Sequence, residues 1–148
     1  MDTPEAVEVA PEAQAQAARA SRGHFTRLAV FGGFSLAGGG VAMALSRDEP
    51  ALLHFGLHNA IGGASNVAFG LLALPSTDAP RTFEGLARTR ETMALNVGLD
   101  AGYVAAGLAM GLLGQDEHPA IGGAGWAIAV QGAGLLVLDA IYWRALPR

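Results

Sequence analysis

Leu95-Asn-Val-Gly-Leu-Asp100-Ala-Gly-Tyr-Val-Ala-Ala-Gly-Leu-Ala-Met-Gly-Leu-Leu-Gly114 is apolar and glycine-rich, and it carries a single carboxylate, Asp100. As a helix rising about 1.5 Å per residue, the stretch reaches ~30 Å, the thickness of a bilayer's hydrocarbon core. Asn96, Asp100, Tyr103 and Gly107 follow one another at i, i+4, i+7 and i+11 and so share a helical face. A polar stripe on an otherwise greasy span must face protein or water, because lipid offers it no hydrogen-bond partner. The stripe therefore predicts other helices packed against this one.

The composition agrees with a membrane setting. Of 148 residues, 51% are hydrophobic and 15% charged, against about a quarter charged in a soluble domain. There is no Cys, so disulfides and thiolate metal sites are excluded. All nine basic residues are Arg, which removes Schiff-base lysines and a phosphate-loop lysine. A net charge of −4 argues against nucleic acid as a partner.

Working outward, the same pattern recurs three more times. Residues 28–46 carry no charge and make the first span; residues 51–74 make the second, with His54, His58, Asn59 and Asn66 inside it. The stretch quoted above falls in the third, 93–113, and residues 121–143 make the fourth, holding Gln131 and Asp139 and ending on Tyr142 and Trp143 as interfacial anchors. Short polar turns, Arg47–Pro50 and Gln115–Pro119, join the first pair and the last pair. Residues 76–92 form the longest loop, with Thr82–Glu91 expected as a short interfacial helix. Met1–Ala18 has four acidic residues and no basic one, is broken by Pro4 and Pro11, and reads as a disordered or loosely helical tail, although Pro11 can open a helix. Arg19, Arg22 and Arg27 then form a basic collar.

Eight arginines flank the termini and the long loop, and only Arg47 lies in a short turn. The positive-inside rule then places both termini in the cytoplasm, with the bundle in the cell's inner membrane. The expected fold is all-α: an integral membrane bundle of four antiparallel transmembrane helices with an N-terminal cytoplasmic extension, residues 1–27 forming the tail and 28–148 the membrane domain.

Counting from the inner boundary of each span at ~1.5 Å per residue puts Asp100 ~10 Å deep, Asp139 ~6–8 Å, Asn66 ~12 Å and Asn96 ~5 Å. Asn66, Asn96, Asp100, Tyr103, Gln131 and Asp139 are thus expected to form a polar cluster inside the cytoplasmic half. Such a cluster either ties the helices together by hydrogen bonds, each worth about 0.6 kcal/mol, or relays protons or cations. His54 and His58 stand one turn apart near the outer end of the second span, a spacing used by helical metal sites. A metal or tetrapyrrole there is an alternative to two interfacial histidines bonded to loop carbonyls, and no cofactor is otherwise expected. Gly33, with Ala29 and Ala37, and the pairs Gly98/Gly102 and Gly107/Gly111 show the four-residue spacing of small residues at which membrane helices approach closely.

No nucleophile elbow, zinc-protease motif or phosphate loop occurs, so an enzyme is not expected. The first functional expectation is a packing or accessory subunit, self-associated or bound within a larger membrane complex, with the lipid bilayer as its other partner. The alternatives are a small proton- or cation-coupled transporter or channel using Asp100 and Asp139, and a metal- or pigment-binding protein using His54 and His58.

Leu95-Asn96-Val-Gly98-Leu99-Asp100-Ala-Gly102-Tyr103 and Gln131-Gly132-Ala-Gly-Leu135-Leu136-Val-Leu-Asp139 resemble motifs of an uncharacterised bacterial family of small four-helix membrane proteins, a domain of unknown function. The likeness covers the third and fourth spans, with a weaker His-plus-Asn likeness in the second. It implies the four-helix architecture and no activity.

Overall fold

The computed structural model describes residues 7–74 and 80–148. It is all-helical, with α1 (Pro11–Leu45), α2 (Pro50–Ala73), α3 (Phe83–Gly114) and α4 (Pro119–Ala145), and no β-strand among the described residues. Prolines open three of the four helices, where their missing N–H would have no helical partner in any case. Thr82 caps the remaining one by accepting a hydrogen bond from the Gly85 backbone N–H at 3.2 Å.

Three helices, α1, α3 and α4, are long and apolar enough to cross a membrane. With its 24 residues α2 is long enough, at ~36 Å, but is not among the three. Its two histidines and two asparagines lower its apolarity. Large apolar side chains point outward on every helix: Phe34, Leu72, Leu113 and Val137 are 76, 77, 82 and 58% exposed. That distribution suits a solvent of lipid.

Two elements differ from the expectations. The segment from Pro11 is not a loose tail: it is the first half of α1, which runs unbroken through the basic collar. Residues 83–91 are likewise not a separate interfacial helix but the opening turns of α3. The projecting ends of α1 and α3 and the C-terminus pack on one another through Val9, Ala17, Leu86, Tyr142 and Leu146. The Val9 N–H donates to the Arg81 carbonyl at 2.9 Å, and the Arg90 guanidinium donates to the Leu146 and Pro147 carbonyls at 3.0 and 2.9 Å. This apolar cap with satisfied backbone groups is what holds the ends in place. Part of the expected 76–92 loop, residues 76–79, lies outside the described residues.

The α4 backbone runs close to those of the other three helices, whereas the α3 backbone runs close to α4 alone among the described residues. Glycine sets the contacts. A Cβ on Gly39 would lie 2.5 Å from the Gly56 carbonyl oxygen and the Ala60 nitrogen, and a Cβ on Gly32 would lie 2.6 Å from the Gly63 oxygen and the Val67 nitrogen. Gly70 faces Ala29 and Phe25 in the same seam, so the pairs run in opposite directions along α1 and α2. In α3 and α4, Gly107 meets Gly125 and Ala129, Gly111 meets Trp126, and Gly114 meets Gly122. Gly107 and Gly111 are therefore packing residues within the chain. Gly33, Gly98 and Gly102 have open space before them: a Cβ there would meet nothing within 4 Å among the described residues. The inward glycines recur every seven residues (32 and 39; 56, 63 and 70; 107 and 114; 125 and 132), the spacing that keeps one seam facing a wrapped partner.

Candidate functional site: a buried acid pair

Three helices bring the site together. Asp100, on α3, is 5% exposed and Asp139, on α4, is 8% exposed. They lie within electrostatic reach of each other, and the Asn96 amide sits against the Asp139 carboxylate. Because α1 continues past the basic collar, it carries His24 alongside α4. Nε2 of His24 is 3.6 Å from Oδ1 of Asp139, and its ring stacks on Tyr142 with centroids 4.5 Å apart. The Ser21 and Tyr142 hydroxyls share a hydrogen bond of 2.7 Å on the side towards the apolar cap.

Next to them lies a cavity of about 320 Å³ whose polar wall is His24, Asn66, Asn96, Asp100, Tyr103 and Asp139, with Phe25, Leu28, Phe69 and Leu135 among its apolar residues. Among the described residues, two buried polar atoms have no hydrogen-bond partner: Oδ2 of Asp100 and Nδ1 of His24. A buried polar atom left unpaired costs about 1–3 kcal/mol, more when charged. Purely structural polar clusters are usually satisfied internally, and these two enclosed atoms are exceptions beside the cavity.

A second cavity of about 390 Å³ adjoins the first, lined by Ile61, Gly62, Ala127 and Ile128 with His58, Ser65 and Gln131. Asn66, Tyr103 and Leu135 belong to the walls of both. Here the amides bond to one another. Asn66 Nδ2 donates to Gln131 Oε1 at 3.2 Å, and Gln131 Nε2 donates to Asn59 Oδ1 at 3.2 Å. Asn59 in turn donates to the Phe55 carbonyl at 3.0 Å.

Of the residues singled out from the sequence, Asn66, Asn96, Asp100, Tyr103 and Asp139 thus share one cavity. Gln131 does not join the carboxylates, and it ties α4 to α2 instead. His54 and His58 sit apart from the acids, their ring centroids 6.1 Å from each other, and Nδ1 of His58 donates to the His54 carbonyl at 2.9 Å. No group of three or more metal-ligating His, Cys, Asp or Glu side chains forms among the described residues.

Sequence reasoning passed over His24 and Ser21, and it placed Asn59 in the second span without assigning it to the cluster. His24 lies among arginines, where the local composition says interface. A signal was nevertheless present: Ser21, His24, Leu28, Gly32 and Gly39 follow at spacings of three, four, four and seven, and all are buried. The inward stripe runs straight through the collar.

No curated protein and no solved structure matches this chain. Its residues 27–140, which hold both carboxylates and three of the four helices in full or nearly so, match a known family, and the chain belongs to it: the Family of unknown function (DUF6992).

Proposed function

We propose that this chain is a four-span protein of the cell's inner membrane, both termini cytoplasmic, and that it acts as a small proton- or cation-coupled carrier through Asp100 and Asp139. The single observation that carries this reading is the pair of buried carboxylates, Asp100 and Asp139, lining one cavity, with Oδ2 of Asp100 left without a hydrogen-bond partner among the described residues. A packing network would satisfy that atom. A site that exchanges a proton or cation needs it free in one state. The pairing of α2 with α1 along its length, and its outward Ile61, Phe69 and Leu72, support α2 as the fourth span. The arginine distribution supports the orientation. The reading includes no catalysed reaction and no resident cofactor.

The test is reconstitution of the purified protein into liposomes loaded with a pH-sensitive dye, with a potassium diffusion potential imposed. Protein-dependent acidification is expected, abolished by Asp100→Asn while the helical circular dichroism stays intact. Asparagine keeps the shape and hydrogen-bonding capacity but cannot ionise. Flux that survives Asp100→Asn, or no flux in the wild type under any imposed cation gradient, refutes the carrier.

A second reading, an accessory subunit that self-associates or joins a larger membrane complex, has its own observation in its favour. Gly33, Gly98 and Gly102 present small, open positions on outward faces, beside the exposed Phe34 and Leu99.

A further inference from the structure

We propose that the ion carried by this site is the proton, and that His24 is a station on its path, exchanging protons between the basic collar and Asp139. The inference rests on the carrier reading, names its ion and adds a residue to its machinery.

Three observations argue for it. The first is the donor set around the acids. Helices α1, α3 and α4 run unbroken past them, so their backbone carbonyls are engaged in helical hydrogen bonds. Carriers that take sodium expose carbonyls at unwound helical turns, and a hard cation such as calcium takes about six to eight oxygen ligands. Here the groups set against Asp139 bring nitrogens, the His24 imidazole and the Asn96 amide. No cluster of three or more His, Cys, Asp or Glu suited to a metal forms among the described residues. A proton needs only one lone pair, which a carboxylate offers.

The second is the placing of the His24 ring. Its Nε2 lies 3.6 Å from Oδ1 of Asp139, and a closure of about 0.8 Å brings the pair to the length of a charge-assisted hydrogen bond. Its Nδ1 is enclosed and has no hydrogen-bond partner among the described residues. An imidazole can take a proton at one nitrogen and release one from the other. Starting from the Nε2–H tautomer, a proton binds Nδ1, the Nε2–H bond breaks and an O–H bond forms at Oδ1. The imidazolium returns to neutral imidazole, and the carboxylate becomes the acid. Asp139 then hands its proton to the Asp100 carboxylate across the cavity that both line.

The third is position. In α1, His24 stands between Arg22 and Arg27, which are exposed, while it is itself 4% exposed. It therefore joins the wet collar to the buried acids. Its ionisable neighbours are Asp139 and Tyr142 from α4, Asp100 across the cavity from α3, and Arg27 on its own helix; α2 gives this cavity Asn66 and Phe69.

The experiment uses the full chain in liposomes adsorbed on a solid-supported membrane, with current as the readout and protein-free liposomes as the blank. A tenfold proton gradient in choline buffer should drive an Asp100-dependent current. A tenfold sodium, potassium or calcium gradient at equal pH should drive none. His24→Gln should lower the proton current at least tenfold while the helical circular dichroism stays intact. His24→Ala should lower it equally, and added imidazole should raise that current at least threefold while leaving Asp100→Asn silent. Permeation of neutral imidazole carries no charge and adds nothing to the reading. Pyrazole, alike in shape but a far weaker base, should not rescue. Wild-type current in His24→Gln overturns the proposal, as does a His24→Ala current that imidazole does not raise or that pyrazole raises equally. Current driven by a metal-cation gradient and not by protons sinks this inference, leaves the carrier standing and depends on no variant. No current under any gradient sinks the carrier as well.

Discussion

Gly38, Gly39 and Gly40 are consecutive, yet only the middle one faces another helix, and this makes Gly39→Ala a sharp test of the packing that positions the site. A Cβ at Gly39 would lie 2.5 Å from the Gly56 oxygen and the Ala60 nitrogen, where ordinary contact begins at 3.4 Å, so α1 and α2 must part there by about 0.9 Å. A gap of that size forfeits a quarter to a half of the attraction of each atom pair along the seam, and overpacked sites lose about 1–3 kcal/mol. Alanine also gains helix propensity over glycine, about 0.8–1.0 kcal/mol in water, but the same gain applies to Gly38→Ala and Gly40→Ala, which have nothing within 4 Å. The propensity contribution cancels in the comparison. Gly39→Ala should therefore be about 1–3 kcal/mol less stable than Gly38→Ala. Unfolding titrations with sodium dodecyl sulfate in mixed micelles, followed by circular dichroism, measure the difference. Equal stabilities, or a greater loss at Gly38 or Gly40, would refute the packing argument and with it the position of α1 over the acid pair.

Two further predictions concern the site's surroundings. Ser21→Ala or Tyr142→Phe alone strands one buried hydroxyl and should destabilise by about 1–3 kcal/mol, whereas the double variant should lose less than the sum of the two; additive losses in the same titration would refute the pairing. Gly102→Leu should leave the stability of the single chain within about 0.5 kcal/mol and break any self-association seen by crosslinking, while Gly107→Leu, aimed at Ala129 and Gly125, should unfold the α3–α4 pair; a destabilised but still associated Gly102→Leu chain would count against the accessory-subunit reading.

Much of the cluster could be read in advance because its residues violate their surroundings. A carboxylate or an amide within an apolar span has to face inward, and helical spacing alone puts Asn96 and Asp100 on one side; Tyr103 shares that face and lines the cavity but stays 55% exposed. Depth along the helix then sets Asp139 near the same level. Gln131 obeys the same rule and yet faces α2, because a face some 100° wide can meet either of two neighbours and the sequence does not say which. His24 breaks no such rule. A histidine among arginines is at home in an interface, so nothing local marks it as buried beside Asp139.

The sequence by itself determined the helices, since prolines and polar turns punctuate four apolar runs, and it determined which polar side chains must turn away from lipid. Which small residues touch was left to the tertiary structure. With 21 glycines, both a four-residue and a seven-residue register are available, and each would let helices approach. Gly98 and Gly102 satisfy the first register and face open space; Gly32, Gly39, Gly56 and Gly63 satisfy the second and form the seam. Glycine has no side chain whose transfer from water or lipid favours one side, so its facing is fixed only by what the rest of the helix meets. The same holds for the empty volume around Asp100. A cavity is a property of where four helices fail to fill space, and no single stretch of chain contains that information.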